Sequence, residues 1–143
     1  MQLYFIAIVP PANVCEIITA VKKRFSIHHQ SSRALKSPSH ITLRPPFKMF
    51  KEREEELSNS LTTFANDHKS FNVDLNGYGH FRKDVIYIKP SENDLLNKAY
   101  SDLQQHLALK NCFPISPPYP KFHPHITVAY RDLRAKAFDE SWK

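Results

Sequence analysis

Glycine is nearly absent from this chain: two residues in 143, against eleven prolines. Turns here cannot lean on glycine's backbone freedom, so proline, asparagine, serine and aspartate are expected to make them. Cysteine is equally sparse. Cys15 and Cys112 stand apart without metal-ligand spacing, which fits a reducing compartment, and Cys15 is expected as a small core residue of a helix. Long apolar runs are missing too. The opening MQLYFIAIVPP is apolar over only about eight residues, lacks a basic leader and stops at Pro10-Pro11. It reads as a buried strand, neither a signal peptide nor a membrane span. A cytoplasmic protein with no membrane partner is expected.

What is present argues for a folded globule. Hydrophobic residues make up 41% and aromatics 12% of the chain, enough for a real core in a single domain spanning 1–143. Twenty basic residues against fourteen acidic give a net charge of +6, which suits an anionic partner such as nucleic acid or a nucleotide. A merely basic soluble protein is an equally simple reading of charge alone.

Periodicity lays out the elements. Leu3–Val9 reads as a strand, and Val14, Ile17, Ile18, Val21 and Phe25 mark one side of a helix over Ala12–Phe25. A strand around His40–Leu43 is expected to stop at Pro45-Pro46, followed by a helix over Lys51–Asp67 burying Leu57, Leu61 and Phe64. Phe71–Leu75 alternates like a strand, and Gly77–Asp84 reads as a turn-rich link to a strand over Val85–Lys89. Ser91 with Asp94 resembles a helix cap ahead of Leu95, Leu96, Ala99, Leu103 and Leu107. Asn111–Pro124 holds five prolines and should run extended, and Leu133–Trp142 suits a last helix.

Two stretches echo each other: SHITLRPPF at Ser39–Phe47 and FHPHITVAY at Phe122–Tyr130. With eight His in the chain, chance gives roughly 0.3 His-x-Thr matches, so the pair is informative. In a strand, His40, Thr42 and Arg44 would share one side, as would His125 and Thr127, with the aliphatics between them buried. The surroundings repeat as well. YFIAIVP, a helix, a proline-bearing loop and HITL match VIYIKP, a helix, a proline-rich loop and HITV. Such a duplication implies an α+β fold: a bilobal chain of two pseudo-twofold-related antiparallel sheets with outer helices, forming a central cleft.

Two imidazoles suit a reaction that removes one proton and delivers another, because histidine takes either form near neutral pH. Threonine hydroxyls and the Arg44 fork can hold an anion between them. The substrate this describes is a phosphodiester cleaved without a metal. His123 and His125 have a spacing common among strand ligands, but no carboxylate or thiol adjoins them, so no metal and no cofactor is expected. Phe81, Tyr87, Phe122 and Tyr130 could stack a base, although packing in the core explains such rings equally simply. His28, His29 and His68 look solvent-facing, and His80 and His106 belong to no visible constellation.

HITLRPPF and FHPHITVAY resemble the paired motifs of the two-histidine (2H) phosphoesterase superfamily, in its bacterial 2′-5′ RNA ligase-like branch. The resemblance covers nearly the whole chain. It implies a cyclic phosphodiesterase acting on 2′,3′-cyclic or 2′-5′ phosphodiesters of RNA ends or cyclic nucleotides, with 2′-5′ RNA ligation as a companion activity. It assigns His40 and His125 as the acid/base pair and Thr42 and Thr127 to the phosphate. Arg44 joins these as a phosphate-binding residue, and His123, Phe122, Tyr130 and Phe81 are candidate substrate contacts. No obligate protein partner is implied. A non-catalytic RNA- or nucleotide-binding module is the alternative, against which both intact motifs count. Members of the family usually continue past the second motif, whereas this sequence ends 16 residues after Thr127, so C-terminal strands are expected to be missing.

Overall fold

The computed structural model describes residues 1–109 and 121–142. Cys112 and most of the proline-rich stretch from Asn111 lie outside the described residues. In chain order the elements are β1 (Gln2–Ile8), α1 (Ala12–His29), a 3₁₀ turn (Arg33–Lys36), β2 (Ile41–Met49) and a second 3₁₀ turn (Lys51–Arg53). There follow α2 (Glu54–Asn66), β3 (Leu75–Phe81), β4 (Val85–Pro90), α3 (Asp94–Leu109), β5 (Ile126–Tyr130) and α4 (Ala135–Ser141). The chain is therefore α+β, with two antiparallel sheets, β1-β2 and β3-β4-β5. None of the described helices is long and apolar enough to cross a membrane.

Two compact units each draw on three separated segments. The first comprises Met1–Ile6, Thr42–Val73 and Glu92–His123. Its core joins Ile6, Leu43 and Met49 of the strands to Leu57 of α2 and to Leu96, Leu103 and Leu107 of α3. The last three recur at helical spacing, which is why α3 turns one unbroken apolar stripe inward. Histidines fasten α2 to α3. His106 Nε2 lies 2.9 Å from the Ser60 carbonyl. His68, expected to face solvent, is half-buried: it stacks on Phe64 at 4.0 Å and meets Asp102 at 3.2 Å through Nε2. Its pKa is raised, first by the hydrogen bond to the Phe64 carbonyl and then by Asp102.

The second unit comprises Ala7–Ile41, Asp74–Ser91 and Pro124–Lys143. Here α1 and the first 3₁₀ turn pack on β5. Tyr87 pairs with Thr127 and Ile86 with Ala129, so Val128 is an extra residue in β5. That bulge explains why Val128 and Ala129 are both buried in succession.

Several expectations are corrected. The strand expected over Phe71–Leu75 instead begins at Leu75 and takes in LNGYGHF, which pairs with VIYIKP. β2 continues through Pro45-Pro46 to Met49, because both prolines are exposed and an edge strand tolerates missing donors. The α3 cap is Asn93, not Ser91: its Oδ1 accepts the Leu96 N–H at 3.0 Å. β1 is only partly buried, with Leu3 67% and Phe5 47% exposed. The scarcity of glycine is met by left-handed Gln30, Arg82 and Arg131, at φ 55, 50 and 60°, and not only by the usual turn formers.

Candidate active site

Both motif histidines occupy the same local position. His40 immediately precedes Ile41, the first residue of β2, and His125 immediately precedes Ile126, the first residue of β5. Each is half-buried, each is followed two residues on by a half-buried threonine, and the intervening Ile41 and Ile126 are buried. The alternation expected of a strand is thus present in both motifs. Both histidines also belong to the second unit.

Each imidazole has close neighbours that steady it. His40 Nδ1 lies 2.6 Å from the Pro38 carbonyl, a partner that only accepts, so Nδ1 carries the proton. In that tautomer Nε2 carries the lone pair. His125 is oriented by rings: Phe81 at 5.0 Å and Tyr87 at 5.3 Å, themselves 4.7 Å apart. Tyr87 lies flat enough over β3 that a Cβ on Gly79 would run into its ring. Glycine at 79 is therefore what lets Tyr87 approach, and Tyr87 in turn backs His125.

Side chains outside the motifs fix the backbone before His40. The Asp132 carboxylate, just past β5, accepts the Ser31 hydroxyl at 2.7 Å and the Ser32 and Arg33 N–H groups at 2.9 and 3.1 Å. Burial alone would raise the Asp132 pKa, but these hydrogen bonds reverse that and lower it. Lys22, only 3% exposed, donates from Nζ to the Ser37 carbonyl at 3.1 Å. Burial lowers its pKa, with Cys15 acting in the opposite direction. Within the first unit, Gln104 Nε2 donates to the Leu43 carbonyl at 3.0 Å, holding β2 between Thr42 and Arg44. None of Asp132, Lys22 and Gln104 stands out in the sequence. A serine pair before a turn hints at an N-terminal cap, but its acceptor is about 100 residues away.

The remaining candidates are placed as follows. Arg44 is 5% exposed, with its guanidinium carbon 5.1 Å from the centroid of Phe47. Phe122 stacks face to face on Tyr100 at 4.2 Å and 4°, so its ring is engaged in packing. His123 is exposed, and Tyr130 lies under the Arg131 guanidinium at 5.7 Å. Of the expected substrate contacts, Phe81 is in ring contact with a motif histidine, His125. Among the described residues no group of three or more His, Cys, Asp or Glu side chains is placed to share a metal ion.

The profile of the 2′-5′ RNA ligase superfamily matches residues 10–143, and the chain belongs to that family. A candidate phosphoesterase of Shouchella clausii (strain KSM-K16) is 28% identical over 128 residues, which cover 88% of this chain and 69% of the relative. Another, from Geobacillus kaustophilus (strain HTA426), is 28% identical over 132 residues, 91% of this chain and 69% of the relative. Among solved structures, E. coli LigT complexed with 3′-AMP matches with a TM-score of 0.61 and 26% identity, over 92% of this chain and 73% of LigT. A protein of Thermus thermophilus shares the fold at a TM-score of 0.58 and 23% identity, over 94% of this chain and 76% of its own.

Proposed function

We propose that this chain is a phosphodiesterase acting on 2′,3′-cyclic or 2′-5′ phosphodiesters of RNA ends or nucleotides, with His40 and His125 as general acid and base. The observation that carries this reading is the matched placement of the two His-x-Thr motifs, each histidine one residue before a strand. Family membership and relatives described as phosphoesterases support the reaction class. The 3′-AMP bound by LigT supports a nucleotide-type substrate.

The chemistry balances without an added reagent. One neutral imidazole takes a proton from water as its oxygen bonds to phosphorus. A P–O bond to the ribose breaks, and the protonated imidazole delivers its proton to the leaving ribose oxygen, which becomes a hydroxyl. Each proton transfer is worth about 10²–10⁴-fold. Thr42 and Thr127 donate hydroxyl hydrogen bonds to the phosphate oxygens, and Arg44 adds positive charge.

The test is hydrolysis of a nucleoside 2′,3′-cyclic phosphate in EDTA by the unaltered chain, His40→Ala and His125→Ala. Turnover that survives chelation and falls at least about 100-fold in both variants is expected. No turnover by folded protein that still binds RNA would establish the non-catalytic binding module instead. Loss in EDTA alone would mean a metal does the work.

A further inference from the structure

The second unit carries a cavity that the two motifs do not use. It has a volume of about 640 Å³, within the range of small-ligand sites, and is lined by α1, β3, β4 and the end of α4. Its floor is Ile86, 1% exposed, on β4. Ile86 alternates with Tyr87, the residue that backs His125, so the cavity lies on the reverse side of the β3-β4-β5 sheet.

Its walls combine rings and bases. Phe25, Tyr78 and Trp142 contribute aromatic surface, with Tyr78 51% and Trp142 41% exposed although both are large rings. Trp142 is not loose: it stacks on Phe138 at 5.7 Å and 9°, and His80 meets it edge-on at 4.7 Å. It therefore offers a fixed platform rather than a swinging side chain. The basic side is made by Arg24, His28 and His29, all on α1. His29 Nδ1 is buried with no hydrogen-bond partner among the described residues, an arrangement that is costly unless something fills it. An adjoining cavity of about 280 Å³ shares His28 and His29 and adds Arg134 and Lys136 against one acid, Glu140.

We infer that this cavity is a second binding site for an aromatic ring bearing a phosphate, of mononucleotide size. The base stacks among Phe25, Tyr78 and Trp142, and the phosphate meets Arg24 and the two histidines. Binding here requires no turnover, so it stands or falls apart from the proposed reaction.

Trp142 is the chain's single tryptophan, so intrinsic emission reports directly from this cavity. Titration of AMP should give a saturable change in that emission, unaltered in His125→Ala. Arg24→Ala and Tyr78→Ala, both exposed positions that leave the core intact, should each weaken it by about tenfold. Adenosine and inorganic phosphate alone should bind at least about tenfold more weakly than AMP. A single-stranded hexanucleotide binding more tightly than AMP would assign the site to an RNA end, and equal binding to a free nucleotide. Absence of a saturable change at millimolar AMP would overturn the inference. So would a change lost in His125→Ala yet kept in Arg24→Ala, since it would place the nucleotide at the motif histidine.

Discussion

The imidazole of His125 stands edge-on to the ring of Phe81, with centroids 5.0 Å apart and planes at 86°. This contact limits how far the imidazole proposed as acid or base can turn, and a ring pair of this kind is worth about 0.5–1.5 kcal/mol. Phe81→Ala should lower kcat on a 2′,3′-cyclic phosphate by about three- to tenfold with KM nearly unchanged. A raised KM at constant kcat would show instead that Phe81 holds the substrate's base.

The partner ring depends on a glycine. Because a Cβ at position 79 would collide with Tyr87, Gly79→Ala should destabilise the chain by about 1–3 kcal/mol, measured by urea denaturation. Combining it with Tyr87→Leu should recover much of that loss. Simple addition of the two penalties would show that the collision is not the cause.

Gln30 ends α1 in the left-handed region at φ 55°, and the Ser31 N–H reaches back to the Phe25 carbonyl at 3.2 Å. A side chain there strains the backbone where glycine would not. Gln30→Gly should raise stability by about 0.5–1 kcal/mol, seen as a higher Tm with unchanged activity.

Asp132 supplies a pH dependence with a definite sign. Its carboxyl is held below its ordinary 3.8, so in acid the folded chain binds fewer protons than the unfolded chain. The stabilisation is complete above that value and is lost as pH falls through the lower folded value. Asp132→Ala should therefore cost about 2 kcal/mol at pH 7, and the gap between variant and parent should close as pH falls below the ordinary aspartate value. A gap that is constant with pH would mean packing, and not the ionised carboxylate, holds the Ser31–Arg33 backbone.

Much of this could be read beforehand where the signal is local. The stripe of Leu96, Ala99, Leu103 and Leu107 announces α3, and the β-branched runs at VIYIKP and HITV announce β4 and β5. Gly77–Phe81 misleads because two glycines and few branched residues look like a turn, and only pairing with Val85–Pro90 makes it a strand. Pro45-Pro46 misleads in the other direction, since exposure on an edge strand removes the need for their donors. Both His-x-Thr motifs were visible as a repeat, but what orients them was not. Tyr87 acts through a glycine on the neighbouring strand, and Asp132 and Lys22 act through tertiary hydrogen bonds that leave no periodic trace.

The Ser31–Asp132 bond joins residues 101 positions apart, across most of the chain that forms the first unit. During synthesis the segment leading to His40 leaves the ribosome long before the carboxylate that anchors it exists. The second unit therefore depends on a non-local contact, the kind whose closure comes late in folding, and it cannot be complete until β5 has emerged. The nascent chain therefore passes through an interval in which one histidine is present without the scaffold that makes it useful.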